Sequence, residues 1–491
     1  METLNIGTRR EVLWDEALMD KAEKITVKMH KPEYRGLAFT CDKPWEGSVC
    51  GYFSLFKDEG QYRMYYRGCN MPVTEEKKPP RHPTYFCAAE SADGKTSERV
   101  PVGKIPFWAH KENNILVDSV RDNMFFFRDA NPDCPPEERY KALAADFAET
   151  QVLSYFRSAD GINYEFVRIL VDDGAYDSLN VCFWNAAEER YYLFYRGLHG
   201  EGSVNGKWAP TTARQRHNTL IRDVRVRTSK DFVNWSEPRM IEFVPEREDI
   251  ELYTNQVQQY YRAPHMMIGF PVRYIDRYRE AKNYPHLPDW KQRESMIRRS
   301  GREGTAMTDS VIMTSRDGLH FRRTEEAFIT PGPENGKNWY YGDCYLAYGM
   351  TETTSDIPGA PNEISIFSPD YYRSDNVILN RFAVRLDGFF SWRADYEPGR
   401  VVTKPIVFDG NRLSINFATS ALGYVRIRLL DENGNAIEGY DSGKLFGDSV
   451  DRDVDFDAPL KALAGKAIRM EITMSDADFY SFNFHISPEI L

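Results

Sequence analysis

Over the first 375 positions, apolar residues fall in short paired runs separated by charged turns. "GYFSLFKDEGQYRMYYRG" (51–68) and "VCFWNAAEERYYLFYRG" (181–197) each read as two strands that end in Tyr-Arg-Gly. "MFFFRDANPDCPPEERYKALAAD" (124–146), "VQQYYRAPHMMIGFPVRY" (257–274) and the stretch opening on "CYLAYGM" (344–350) occupy equivalent places. Helical periodicity is almost absent. A second element recurs after strand-like runs such as "TQVLSYFR" and "SVIMT": a Ser-x-Asp turn, with its acid at Asp93, Asp160, Asp231 and Asp317. The gaps of 67, 71 and 86 residues are too uneven for a solenoid and suit propeller blades that carry insertions. Asp in such a turn caps nearby amides and Gly takes positive φ, so these four acids are read as structural. Five units predict a five-bladed ring.

From about Asn380 the pattern becomes strict alternation, in "RFAVRLDGFFSW", "RLSINFA", "YVRIRLLDENGNAIEGY" and "AIRMEITMSDADFYSFNF". The expected fold is all-β, a five-bladed β-propeller over residues 1–378 followed by an antiparallel β-sandwich over 379–491 that braces it. Two long insertions, 199–217 and the charge-rich 276–304, are read as rim loops, the second with a short helix.

Composition narrows the partners. With 63 basic against 74 acidic residues the net charge is −11, which disfavours nucleic acid and anionic membrane surfaces. No apolar run reaches membrane-spanning length, and the N-terminal stretch lacks an apolar signal core, so the chain is expected to be soluble and cytoplasmic. The seven cysteines show no CxxC pair and read as buried free thiols. No metal, phosphate-loop or nucleophile-elbow motif is present, so no cofactor is expected, although a single Ca²⁺ in the channel would leave no sequence trace. Aromatics form 14% of the chain, which suits thick β cores and sugar-stacking surfaces alike.

Candidate chemistry follows from the ring. The first strand of each blade lines the channel, so polar residues at strand entries converge on one mouth. Glu46 precedes the first inner strand, Asp177 the third, Asn255 the fourth and Asp343 the fifth, while Asp129 follows "MFFF" in the second. Glu251 reads as a solvated acid. Glycosidic hydrolysis needs two carboxyl groups in different protonation states, and these entries supply candidates. Trp45, Trp184 and Trp339 stand beside the acids as stacking platforms or blade packing; Arg67 and Arg196, in the two Tyr-Arg-Gly sequences, suit a carboxylate or an acidic sugar.

The blade pattern, the closing sandwich and the phrases "PWEG", "RDANP", "YTNQV" and "FYSF" resemble bacterial relatives of glycoside hydrolase families 32 and 43. That resemblance implies a five-bladed propeller with three carboxylates facing the axis. "FRDANP" (127–132) is similar to the family's Arg-Asp-Pro motif and carries Asp129 over as the residue that fixes the substrate, with Ala130 and Asn131 interposed before Pro132. "DKPWEG" and "YDSLN" stand where the first- and third-blade motifs belong. The expectation is an exo-acting glycoside hydrolase with a carbohydrate substrate, Asp177 and Glu46 as acid and base, and Asp129 or Asp343 holding the sugar. Two rivals are a non-catalytic glycan- or protein-binding propeller and a phosphate-dependent phosphorylase, whose basic pocket Arg67, Arg196 and Arg262 would form.

Overall fold

In a computed structural model of the chain, residues 3–71, 82–119, 122–146, 151–200, 203–204, 207–208, 220–277, 282–300, 302–374 and 376–487 are described. Most of the insertion 199–217 lies outside them. Five sheets surround an axis, antiparallel but for the outer edge of blade four, where Glu242–Phe243 pairs parallel with His320–Arg323. Their inner strands are Gly51–Asp58, Asp122–Arg128, Val181–Asn185, Gln258–Gln259 and Thr351–Thr353, each at one edge of its sheet and followed outward by its successors in sequence. The first hairpin shows why these runs fold this way. Glu59 and Gly60 both take positive φ, 45° and 96°, a two-residue turn that puts Asp58 opposite Gln61 and matches the strand twist. Alternate side chains such as Phe53 and Leu55 are then buried between blades, each contributing roughly 1.5–3 kcal/mol.

The Ser-x-Asp turns behave as the pattern predicts. Asp160 Oδ1 accepts from the backbone N–H groups of Ile162 and Asn163, both at 2.8 Å, and Ser158 Oγ caps Gly161 N–H at 3.0 Å. Asp93, Asp231 and Asp317 repeat this arrangement. Each turn also docks on the preceding blade. Tyr65 of blade one donates to Gly161 O at 2.9 Å, Tyr155 of blade two packs edge-on against Phe232, Tyr192 of blade three reaches Asp317 O, and Thr351 of blade five donates to Gly94 O at 2.8 Å. A fifth turn, Arg385-Leu386-Asp387-Gly388, completes the cycle. Asp387 is wholly buried and accepts from Tyr260 of blade four at 2.6 Å and from Arg262 at 2.8 Å.

The ring is closed by the N-terminal strand Glu33–Cys41, which pairs antiparallel with Val377–Arg385 as the outermost strand of blade five. The sheet memberships depart from a border at 378. Val377–Arg385 belongs to a blade, whereas Leu4–Gly7, Arg10–Val12, Met19–Glu23 and Thr26–Met29 join the C-terminal strands in one eleven-stranded sheet. "RFAVRLDGFFSW" misled because its alternation runs unbroken from the last blade strand, through the fifth turn, into Phe390–Ala394 of the large sheet. That sheet is built on the long pair Arg412–Asp431 and Ile468–His485, whose inward Ile415, Phe417, Ile472 and Phe484 are fully buried. Trp14 and Val12 press it against Tyr260, Phe270 and Phe389, so it braces blades four and five.

The insertion holds a helix, Trp290–Ser300, capped by Asp289 Oδ1 on Gln292 N–H, with Arg293, Met296 and Ile297 on its buried face. Among the described residues no helix is long and apolar enough to cross a membrane. All seven cysteines are free, and six of them are buried.

Candidate active site at the channel mouth

The inner strands run in the same sense, so their entries share one end of the channel and their exits the other. The entry end carries Tyr52, Asp122, Asn123, Asp177, Asn255 and Asp343. Four of its residues, Tyr52 (φ 54°), Asn123 (55°), Gln256 (41°) and Cys344 (61°), are non-glycine residues in the left-handed region, one in each of blades one, two, four and five. Each such conformation costs roughly 1–2 kcal/mol. Strain of this kind persists where the surrounding structure holds it, and it gathers at functional sites. In blades one and two it coincides with a bulge, between Gly51 and Ser54 and between Asp122 and Phe125, which re-aims the side chains there.

Two partly exposed carboxylates stand at the entries of blades two and three, each bonded to Asn123. Asp122 is 31% exposed and Asp177 51%. Arg67, which reaches over from blade one, donates from Nη1 to Asp122 Oδ1 at 2.9 Å and to Asn123 Oδ1 at 2.7 Å. Asn123 Nδ2 donates to Asp177 Oδ1 at 3.2 Å, and Arg196 Nη2 lies 3.6 Å from Asp177 Oδ2. Arg196 is fixed by a 2.7 Å bond from Nε to Ala175 O.

Tyrosines wall the rest of the mouth. The Arg67 guanidinium lies 4.6 Å over the Tyr52 ring, and Arg196 and Arg222 lie 5.1 and 5.2 Å from the Tyr253 ring. Tyr341 donates to Tyr253 at 2.7 Å. Between blades one and five, Tyr52, Arg67, Tyr341, Gly342, Tyr345 and Tyr372 line a narrow recess of about 20 Å³, room for about one water. Gly342, at φ 106°, has its Cα so close to Tyr372 that a Cβ would sit 2.2 Å from that ring.

Asp343 lies directly behind this wall. Its Oδ2 accepts from Tyr340 N–H at 3.0 Å, its Oδ1 has no hydrogen-bond partner, and the residue is wholly buried. Burial, reinforced by the nearby Asp370 carboxylate, pushes its carboxyl up to about 8, so it is protonated at neutral pH. Burial also raises Asp370, to about 6.

The mouth thus brings together Asp177, Arg67, Arg196 and Asp343 of the expected set, with Asn255 at its blade-four edge, where Oδ1 caps Val257 N–H. The structure places the others elsewhere. Asp129 is at the exit of its strand, seven residues or roughly 20 Å from Asp122. There it is sealed by Lys141 Nζ at 2.8 Å and Tyr191 OH at 2.7 Å, which answers its burial with a salt bridge in place of a substrate hydroxyl. Glu46 is fully buried and held by both Arg99 nitrogens, at 2.9 and 2.8 Å, and by Tyr66 OH at 2.5 Å, which leaves its oxygens no room for substrate. Trp45 donates to Asn114 within the blade-one core, Trp184 packs on Tyr191 at the exit end, and Trp339 donates to Gly332 O in its own loop. Arg262 belongs to the Asp387 cluster, so the basic trio does not assemble. Glu251 is not simply solvated but pairs with Arg222.

Sequence reasoning missed Asp122, Asn123 and the tyrosines. The signal was present: "RDN" (121–123) precedes "MFFF" just as Asp177 precedes "VCFW". The second Arg-Asp pair, at the exit, was the one that resembled a known motif.

No family model matches the chain and no curated protein matches it. Solved structures similar to it are glycoside hydrolases and a related carbohydrate enzyme. A glycoside hydrolase matches at 10% identity, over 72% of this chain and 92% of that one, with a TM-score of 0.43. The catalytic domain of a Coprinopsis cinerea GH62 alpha-L-arabinofuranosidase matches at 8% identity, over 72% and 97%, with a TM-score of 0.42. An N-acetylgalactosamine deacetylase from F. plautii, in complex with blood group B trisaccharide, matches at 12% identity, over 73% and 94%, with a TM-score of 0.42.

Proposed function

We propose that this protein is a glycoside hydrolase that acts on the end of an oligosaccharide, with Asp122 and Asp177 as the carboxyl groups that contact the scissile bond. The observation that carries the reading is the pair of accessible carboxylates contributed by neighbouring blades, tied through Arg67 and Asn123 beside a tyrosine-walled recess. Hydrolysis of a glycoside needs two such groups, one to protonate the leaving oxygen and one to attack or to activate water. The recess holds about one water and no sugar ring, so in this reading the terminal sugar lies over the partly exposed Asp122 and Asp177 carboxylates at the mouth. Tyr52 and Tyr372, the partly exposed tyrosines of the recess, offer ring edges and hydroxyls for orientation of a sugar at the mouth. Asp343, sealed behind Gly342, makes no contact with the sugar in this reading.

A panel of aryl glycosides and oligosaccharides, assayed with and without inorganic phosphate, tests it. The expected result is phosphate-independent release of a single terminal sugar, with Asp122→Asn and Asp177→Asn each reducing kcat by about 10²–10⁴-fold while remaining folded. Full turnover in both variants, or turnover only with phosphate, refutes it.

A further inference from the structure

We infer that Asn123 is a positioning residue that sets the relative placement of Asp122 and Asp177; the inference rests on the hydrolase reading above. Asn123 is completely buried and sits at φ 55°, within the bulge that interrupts the pairing of Asp122–Arg128 with Tyr140–Asp146. A side chain in that conformation is under strain, and asparagine is among the few that tolerate it.

Its three polar groups each meet a different blade's contribution to the mouth. The backbone N–H donates to Asp122 Oδ1 at 2.8 Å, Oδ1 accepts from Arg67 Nη1 at 2.7 Å, and Nδ2 donates to Asp177 Oδ1 at 3.2 Å. Only a carboxamide can accept from a guanidinium on one side and donate to a carboxylate on the other from so short a stem. A carboxylate at this position would face Asp177 with like charge, and a hydroxyl would be too short to reach both. The distance between the two catalytic carboxyl groups decides whether a water fits between carboxyl and sugar, so a side chain that ties Asp177 to Arg67, which in turn holds Asp122, acts on the chemistry without touching the substrate. Asp177 is bonded to the side-chain amide of Asn123, and Asp122 to its backbone N–H and, through Arg67, to its side-chain oxygen, so the placement of both refers to this one residue.

Asn123→Gly separates the bridge from the backbone, because glycine keeps the left-handed conformation and removes only the amide. The expected result is a thermal midpoint equal to or above wild type, kcat reduced by about 10–100-fold and KM changed by less than about threefold, since the sugar-contacting groups remain. Asn123→Asp should lose kcat as well, for want of the donor. In a double-mutant cycle, Asn123→Gly should add little to Asp177→Asn, because the two remove one coupled arrangement. Wild-type kcat in a folded Asn123→Gly variant, alongside an inactive Asp177→Asn, overturns the positioning role and leaves the hydrolase site standing. Full turnover in Asp177→Asn overturns both.

Discussion

Replacing Asp343 by asparagine should make the protein more stable, by an amount that depends on pH. In the folded chain its carboxyl titrates near 8, against 3.8 for an ordinary aspartate, because it is buried with one oxygen unpartnered. Between these two values the unfolded chain has released the proton and the folded chain retains it. Stability therefore falls as pH rises across that window, by about 1.36 kcal/mol per unit, and levels off above pH 8. The asparagine amide is neutral throughout and carries no such dependence. At pH 7 the full cost comes to roughly 4 kcal/mol, and local relaxation on ionisation reduces what is observed to about 2–4 kcal/mol. Asp370, raised to about 6, adds a smaller slope of the same sign to both proteins. Urea unfolding of wild type and Asp343→Asn at pH 4.5, 6, 7 and 8.5 measures the difference directly. It should be about 1 kcal/mol or less at the lowest pH and grow towards 8, with turnover within a few-fold of wild type, because the side chain lies behind Gly342. A stability difference that does not change with pH would refute the reasoning, and a variant that is folded but inactive would move Asp343 into the catalytic machinery.

The reassigned acids give further tests. Arg99→Met, which strands the buried Glu46 carboxylate, should cost about 3–5 kcal/mol, whereas Glu46→Gln should cost less and leave kcat unchanged; a folded Glu46→Gln variant without activity would restore it as a catalyst. Asp160→Ala removes the acceptor for two backbone N–H groups and should cost about 1 kcal/mol by thermal or urea melts with turnover per folded molecule intact, so a loss of turnover at full folding would contradict the capping role.

The ring was legible in the sequence because both of its repeated features are local. A hairpin with a charged turn and a Ser-x-Asp cap can be read within some twenty residues, and the caps fell where that pattern put them. The fifth turn was not legible. Arg385 stands where the others have serine, and Asp387 takes its partners from Tyr260, Arg262 and Ser481, far away in sequence. The same limit explains the site. That Glu46 is silenced by Arg99, and Asp129 by Lys141 and Tyr191, depends on contacts across strands that no linear spacing announces. Asp177 was singled out because strand entries converge by geometry alone, and Arg67 and Arg196 because each stands in a Tyr-Arg-Gly at a strand end. Asp122 was passed over because the opposite end of its strand carried the more familiar phrase.

The strand that closes the ring also sets a timetable. Cys41 pairs with Val377, 336 residues later, and Leu4 pairs with Ile406. At about 5–20 residues per second, synthesis would leave the N-terminal segment without its partners for roughly 20–70 seconds. During that interval Glu33–Cys41 is an open strand edge carrying exposed Tyr34 and Leu37, the kind of edge that invites pairing with another chain. Four blades can assemble as they emerge, but the recess between blades one and five needs residues 341–372, and the strand pair that closes the ring forms after that. A cell making this protein therefore obtains the residues of its candidate active site early and the closed ring last, and a chain interrupted before Val377 would carry those residues on a ring that no strand closes.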